Sequence, residues 1–403
     1  MKRLVSMTVL AVALAAGSAQ AQQMSVKIGV LSDMSSLYAD IGGPGSVAAA
    51  KLAIADFTKD HPNVKVELVS GDHQNKPDVG TNIANQWFDV DKVDMIIDVP
   101  NSGVALAVSQ VAANKNKVFI VSGAAASDLT GPKCNANTVH WTYDTWMLAN
   151  GTGSAMVKTG GKTWFFLTSD YAFGHALERD TSAAVEKAGG RVIGKVRHPL
   201  NTSDFSSFLL QAQASKAQVI GLANAGGDTI NSIKQAAEFG IVKGGQKLAG
   251  LLVFASDVAA LGLPTAQGLT LTETWYWDAN DANRAWTKRW HQSGGAASKF
   301  PTMIHAGVYS GILHYLKARV ALGGSPDGKA VIAKMKQMPT DDALFGKGRV
   351  REDGRVINDM YLFEVKSPAT SKGAWDYYEL KRTVPAEQAF RPMDQGGCKL
   401  VHG

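Results

Sequence analysis

At 403 residues, with 45% hydrophobic and 8% aromatic content, the chain is long enough for two or three globular domains and too apolar to be disordered. The net charge of +6 is mild, and drops by two to +4 if Lys2 and Arg3 leave with a signal segment. The densest basic spots, Lys115/Lys117 and Arg349/Arg351/Arg355, are too thin for a nucleic-acid surface.

Residues 1–21 read as a cleavable export signal. Met1-Lys2-Arg3 is a positive start, Leu4–Ala16 is a short apolar run, and Ala19-Gln20-Ala21 is a small-x-small cleavage site. The run is too short for a stable membrane anchor. The mature chain is expected to begin near Gln22 and to work outside the cytoplasm.

From there strand-like and helical patterns alternate. Val26–Ser32, Val64–Val69, Met95–Val99 and Val118–Val121 read as strands, with helices predicted over Ser46–Lys59, Asp78–Val90 and Ser102–Asn114. In the first helix Val47, Ala50, Ile54 and Phe57 form one apolar stripe, and Gly42-Gly43-Pro44-Gly45 supplies the turn before it.

A second set repeats the rhythm. Thr163–Thr168, Val192–Val196, Val219–Ala223 and Leu251–Phe254 are predicted strands; Trp146–Thr159, Gly174–Ala188, Phe205–Ala214 and Thr229–Phe239 are predicted helices. Near-continuous apolar strands flanked by helices imply a parallel sheet covered on both faces. The fold class expected is α/β, two Rossmann-like lobes joined by a multi-crossing hinge. The first lobe is assigned residues 22–143 plus 278–345 and the second 144–277 plus 346–380; a tail, 381–403, returns to the first. Within these, Trp286–Gln292, Thr302–Leu322 and Val331–Met338 are helical and Tyr361–Val365 is a strand.

Catalytic and cofactor motifs are sought in vain. Gly160-Gly161-Lys162-Thr163 ends like a phosphate-binding loop, but Met156 stands where the pattern needs glycine, and the motif leads into a strand. No GxSxG, HExxH or usable SxxK occurs, and no Cys/His cluster suggests a metal. His305 and His314 lie nine apart on one helix and read as core or surface residues. The expectation is no enzyme, no cofactor and no metal. Export makes a Cys134–Cys398 disulfide the default for the two cysteines.

Open α/β sheets bind ligands beyond the carboxyl ends of their strands. There the chain carries Ser32–Tyr38, then Asn101-Ser102-Gly103 before a helix, then Ser122–Ser127 with Ala124, Ala125 and Ala126. Ser102 at a helix start and the small residues from an adjacent strand converge on a carboxylate-binding corner. The second lobe offers Asp170-Tyr171-Ala172-Phe173, Asn224-Ala225-Gly226 and Ser256-Asp257. Tyr171 and Phe173 can stack on a ligand. Trp275-Tyr276-Trp277 end a segment expected to cross back between lobes; because neighbours alternate on a strand, at least one is expected to face cleft or solvent.

These residues resemble the type I periplasmic binding proteins of the leucine/isoleucine/valine-binding family, which serve ABC importers. The resemblance runs through Val26–Ser32 with Tyr38–Gly43, Asn101-Ser102-Gly103, Ser122–Thr130, Asp170–Gly174, Ile233–Ala236 and Phe239-Gly240. It implies that Ser102, Gly103 and the backbone of Ala124–Ala126 hold a ligand carboxylate. Aromatics near Tyr38 and near Tyr171 and Phe173 would cover the ligand; Tyr143, Asn224, Gly226, Asp257 and Trp275 are further candidate contacts. The amino-acid binders place an acid against the ammonium; here Ser256 matches that position, with Asp257 beside it, and Asn224–Gly226 replaces an aromatic-bearing stretch. Ser70–Lys76, Val139–Trp146 and Asn224–Thr229 look like a subgroup that binds lignin-derived aromatic carboxylates. The expected function is a monomeric periplasmic receptor that closes over a hydroxycinnamate- or benzoate-type acid and presents it to a membrane permease. A hydrophobic amino acid or amide is the alternative ligand, and a secreted hydrolase the alternative class.

Overall fold

The computed structural model describes residues 24–296 and 298–401. The expected signal segment, 1–21, lies outside them. The first sheet is parallel, in the order β2-β1-β3-β4-β5. Its strands are β1 (Met24–Ser32), β2 (Val64–Asp72), β3 (Met95–Asp98), β4 (Val118–Val121) and β5 (Thr138–His140). Helices α1 (Gly43–Asp60), α2 (Pro77–Asp89) and α3 (Ser102–Asn114) are the crossovers. Every side chain of β3 and β4 is buried, and all but Asp98 are apolar, as a parallel sheet covered on both faces demands.

The second lobe begins at α4 (Thr145–Leu148) and α5 (Ser154–Lys158), joined through one π-helical stretch, Ala149–Gly153. This is the predicted Trp146–Thr159 helix, widened where Gly151 packs on Thr272 so closely that a Cβ would lie 2.3 Å from its hydroxyl. The second parallel sheet has the order β7-β6-β8-β9. It comprises β6 (Thr163–Ser169), β7 (Arg191–His198), β8 (Val219–Ala223) and β9 (Lys247–Gly250). Helices α6 (Ala172–Lys187), α7 (Ser206–Ala214) and α8 (Gly227–Glu238) cover it, and α9 (Ala255–Leu261) and α10 (Leu263–Ala266) follow.

The strand expected at Leu251–Phe254 lies four residues earlier, at β9, paired with β8. Leu251–Phe254 are buried beyond the sheet's end. Burial, not pairing, is what an apolar run encodes.

The chain leaves the second lobe through β10 (Thr270–Glu273) and builds α11 (Asp281–Gln292), α12 (Met303–Ala321) and α13 (Gly328–Gln337). α12 lies on α1, with every residue from Met303 to Ile312 buried. A small antiparallel sheet follows: β11 (Thr340–Asp342), β12 (Gly346–Val350) and β13 (Val356–Ile357). It leans on the first lobe, because His140 bridges Arg355 and its N–H donates to the Gly354 carbonyl at 2.9 Å. The turn at Gly354-Arg355 is thus tied to β5, within the stretch 346–380 that the sequence reading assigned to the second lobe. Strands β14 (Met360–Val365) and β15 (Tyr378–Val384) then form a sheet with β10. The tail returns, tied by the Cys134–Cys398 disulfide, with Cα atoms 5.6 Å apart. Among the described residues no helix is long and apolar enough to cross a membrane.

Candidate functional site

Two sheets present their carboxyl ends to each other. On the first lobe, Asn101 caps α3 by accepting the Val104 N–H at 3.1 Å. With Asn101 in the role, the Ser102 hydroxyl turns to the neighbouring loop and accepts the N–H groups of Ala125 (3.3 Å) and Ala126 (3.2 Å). The four residues are fully or almost fully buried, and Gly103 is half-buried behind them.

The Ser122–Ser127 loop is gripped from several sides. Tyr143 donates to the Gly123 carbonyl at 2.6 Å, His140 Nε2 meets the Ala124 carbonyl at 2.7 Å, and Thr145 N–H meets the Ala125 carbonyl at 2.8 Å. Ser122 donates to the Ile304 carbonyl at 2.8 Å. α12 comes this close because residue 307 is glycine: a Cβ there would sit 2.0 Å from the Thr142 hydroxyl. A loop so held presents its N–H groups at fixed positions, the preorganisation that anion recognition needs. Desolvation drives the His140 imidazole well below its ordinary range, so it stays neutral.

Tyr38 belongs to a loop built on buried Asp33. Burial alone would raise that carboxyl. Hydrogen bonds from Tyr38 N–H (2.8 Å), Ser36 and Asn75 outweigh it and hold the pKa below the usual value. The Tyr38 hydroxyl meets the Tyr171 hydroxyl across the lobes at 2.6 Å. Tyr171 precedes α6, and its ring lies 6.0 Å from that of buried Phe173. The lobes also touch at Gly226 (φ +57°), where a Cβ would come within 2.6 Å of the Leu37 carbonyl oxygen and 3.2 Å of the Tyr38 ring. This is a closed arrangement.

The other expected residues lie as follows. Asn224 has its amide engaged inside the second lobe: Oδ1 accepts Thr229 Oγ1 at 2.8 Å, and Nδ2 donates to His198 Nε2 and Ser232 Oγ. Asp257 is buried and accepts the Phe254 N–H at 2.9 Å, closing the first turn of α9. Burial pushes its carboxyl up to about 7. Trp275 is buried edge-on against Trp286 of α11, with centroids 5.4 Å apart, and its Nε1–H has no hydrogen-bond partner among the described residues.

Of the three consecutive aromatics, only Trp277 is partly exposed. Strand β10 stops at Glu273, so alternation lapses and each ring goes its own way. Trp275 packs toward the first lobe, Tyr276 against Tyr378 and Phe363, and Trp277 on Phe300. His305 caps α12, its Nδ1 accepting the Thr302 N–H, and His314 bonds the Met335 carbonyl.

Two buried acids escaped the sequence reading. Glu273 ends β10, accepts the Tyr378 hydroxyl at 3.0 Å, and is pushed well up by desolvation. Asp98 ends β3 and closes the apolar run Met95–Ile97, a pattern visible in the sequence, whereas Glu273 closes Thr270-Leu271-Thr272 and has no such signal. Among the described residues, no group of three or more His, Cys, Asp or Glu side chains could hold a metal ion.

Known proteins share this architecture. A solved periplasmic binding protein from Burkholderia mallei is 52% identical, covers 94% of this chain and 100% of its own, and superposes with a TM-score of 0.89. A branched chain amino acid ABC transporter periplasmic ligand-binding protein from Burkholderia xenovorans LB400 is 42% identical, with coverage of 93% and 99% and a TM-score of 0.81. A solute-binding protein of an R. palustris ABC transporter, solved with 4-hydroxybenzoate, shares the fold at 23% identity, with coverage of 90% and 97% and a TM-score of 0.81. The family model described as periplasmic binding protein matches residues 25–374. The chain therefore belongs to the periplasmic binding protein family.

Proposed function

We propose that this protein works in the periplasm as a monomer, capturing an aromatic carboxylate of the benzoate or hydroxycinnamate type for an importer's permease. The observation that carries this reading is the Ser102 hydroxyl, released from capping by Asn101 and facing the N–H groups of Ala125 and Ala126. Those two hydrogen bonds are long. A carboxylate oxygen is the stronger acceptor for the same N–H groups, and Ser102 can donate its proton to it. Tyr38, Tyr143, Tyr171 and Phe173 supply aromatic surface for a ring, and the Tyr38–Tyr171 contact is the kind that closure over a ligand makes.

A hydrophobic amino acid is the second reading. It is favoured by Asp257, a buried carboxyl with no cationic partner among the described residues, and by the name of the B. xenovorans relative. An ammonium would compensate that charge.

A thermal-shift screen of ligand-stripped protein against benzoates, hydroxycinnamates and aliphatic amino acids separates the two. Ligand at a hundredfold over its dissociation constant adds about 2.7 kcal/mol of stability. Aromatic acids are expected to raise the midpoint and leucine to leave it unchanged; the reverse pattern establishes the amino-acid reading. Ser102→Ala is expected to weaken the responding acid by roughly 1–3 kcal/mol, and unchanged affinity removes the carboxylate corner. Asp257→Asn is expected to change aromatic-acid affinity by less than about fivefold, whereas an ammonium ligand would lose far more.

A further inference from the structure

Asp98 closes β3 in a strained backbone. It and Val99 both hold positive φ, +89° and +55°, and neither is glycine. A β-branched residue in the left-handed region is a strong outlier, and such strain persists only where the surroundings enforce it. They do. The Asp98 carbonyl accepts the N–H groups of Ser122 (3.3 Å) and Gly123 (3.2 Å), and the Val99 N–H is tied to the Leu31 carbonyl. The Asp98 side chain is completely buried.

Its carboxyl is wedged between two loops that could not approach if they carried side chains. A Cβ on Gly42 would lie 3.1 Å from one carboxyl oxygen, and a Cβ on Gly123 would lie 2.8 Å from the other. The polar groups facing it are Ser32 of β1, Ser46 of α1 and, farther off, the Tyr143 phenol. The two serines favour ionisation, but neither is hydrogen-bonded to the carboxyl, and the Ser46 hydroxyl has no partner among the described residues. No lysine, arginine or histidine is among the groups that shift it. Desolvation outweighs the serines and lifts the carboxyl from 3.8 to about 6.

We propose that Asp98 is a proton-carrying residue: its carboxyl is buried without a hydrogen-bond partner among the described residues, between the Gly42–Gly43 and Ser122–Gly123 loops, and capture of an anionic ligand at Ser102 and Ala124–Ala126 draws a proton onto it. This rests on the carboxylate reading given above. The reasoning is electrostatic. A ligand carboxylate enters beside the loop that Asp98 anchors, and a like charge in a desolvated site disfavours ionisation of its neighbour. Binding therefore takes up to one proton wherever Asp98 is ionised in the free protein. Above about pH 6 the affinity for a permanently ionised ligand falls, approaching tenfold per pH unit.

Titration calorimetry with benzoate, and with leucine in parallel, in two buffers of different ionisation heat gives the proton count. Between pH 6 and 8 the count for the natural protein is expected to rise toward one per ligand, and Asp98→Asn is expected to take up none. Asparagine is close in shape, cannot ionise, and tolerates positive φ better than most residues. An equal count in both proteins, or none in the natural one, overturns the proposal.

If neither carboxylate binds, the capture reading has failed, and Asp98 is then judged by unfolding. The unfolded carboxyl ionises near 3.8 and the folded one near 6. Between those values the unfolded state loses its proton first, so stability falls as pH rises and levels off above about 6. Asp98→Asn should lack that fall; parallel profiles for the two proteins overturn the proposal on their own.

Discussion

Replacing Arg355 by alanine is expected to cost about 3–5 kcal/mol of folding stability, the largest loss predicted for any single residue here. Arg355 is completely buried where the chain passes between the lobes. Its Nε–H donates to the Val356 carbonyl and its Nη1–H to the Tyr143 carbonyl, both at 2.8 Å. The guanidinium lies 4.7 Å from the Phe390 ring centre and 3.6 Å from Asp144. Desolvation brings its pKa down to about 10, so it is charged throughout the physiological range.

Asp144 in turn caps α4 through the Met147 N–H at 2.8 Å, at the first crossing. Alanine would leave Asp144 buried without its cation and empty the volume under Phe390. A denaturation curve measures the loss, and a change below about 1 kcal/mol would remove this pair from the hinge. The double variant Asp144→Asn/Arg355→Met should recover part of the stability, because the cost lies in the stranded charge and not in the missing attraction.

How much of this was legible in the sequence depends on the range of the interaction. Val118–Val121 reads as a buried strand because a parallel sheet covered on both faces demands apolar residues at every position, and it is one. The alternation of such runs with helical stripes carried the α/β reading, and the two lobes followed from its repetition. The Cys134–Cys398 bridge followed from export chemistry and a count of two.

Local chemistry was less decisive. Asn101 and Ser102 are both good caps, and only the tertiary position of the Ala124–Ala126 loop decides which one caps and which reaches across. Asp144 and Arg355 are 211 positions apart, so no pattern could have paired them. Positive φ at Asp98 and Val99 carries no composition signal, since glycine or asparagine would be the residues to expect there.

Gly226→Ala is expected to separate closure from folding, and that makes it the sharpest test of how the lobes work. The added Cβ would meet the Leu37 carbonyl oxygen at 2.6 Å, a backbone atom of the opposite lobe that cannot swing aside. The clash exists only when the lobes are together. The strain of an alanine at φ +57° is paid in open and closed forms alike, so it lowers stability without favouring either.

Overpacking of this kind costs about 1–3 kcal/mol, charged here against the closed state alone. Ligand affinity measures the closed population, so it should fall by roughly 100-fold at the upper end of that range. The unfolding midpoint should move far less. Small-angle scattering should find the variant in the open form at ligand concentrations that close the natural protein. An unchanged affinity would mean that ligand is bound without the Gly226–Leu37 contact, and closure at this point would not be part of capture. Affinity and midpoint falling in proportion would assign the effect to local strain. Loss of affinity with a preserved midpoint places the contribution of Gly226 in the approach of the two lobes, where its missing side chain lets Leu37 and Tyr38 come close enough for the Tyr38–Tyr171 hydrogen bond to form.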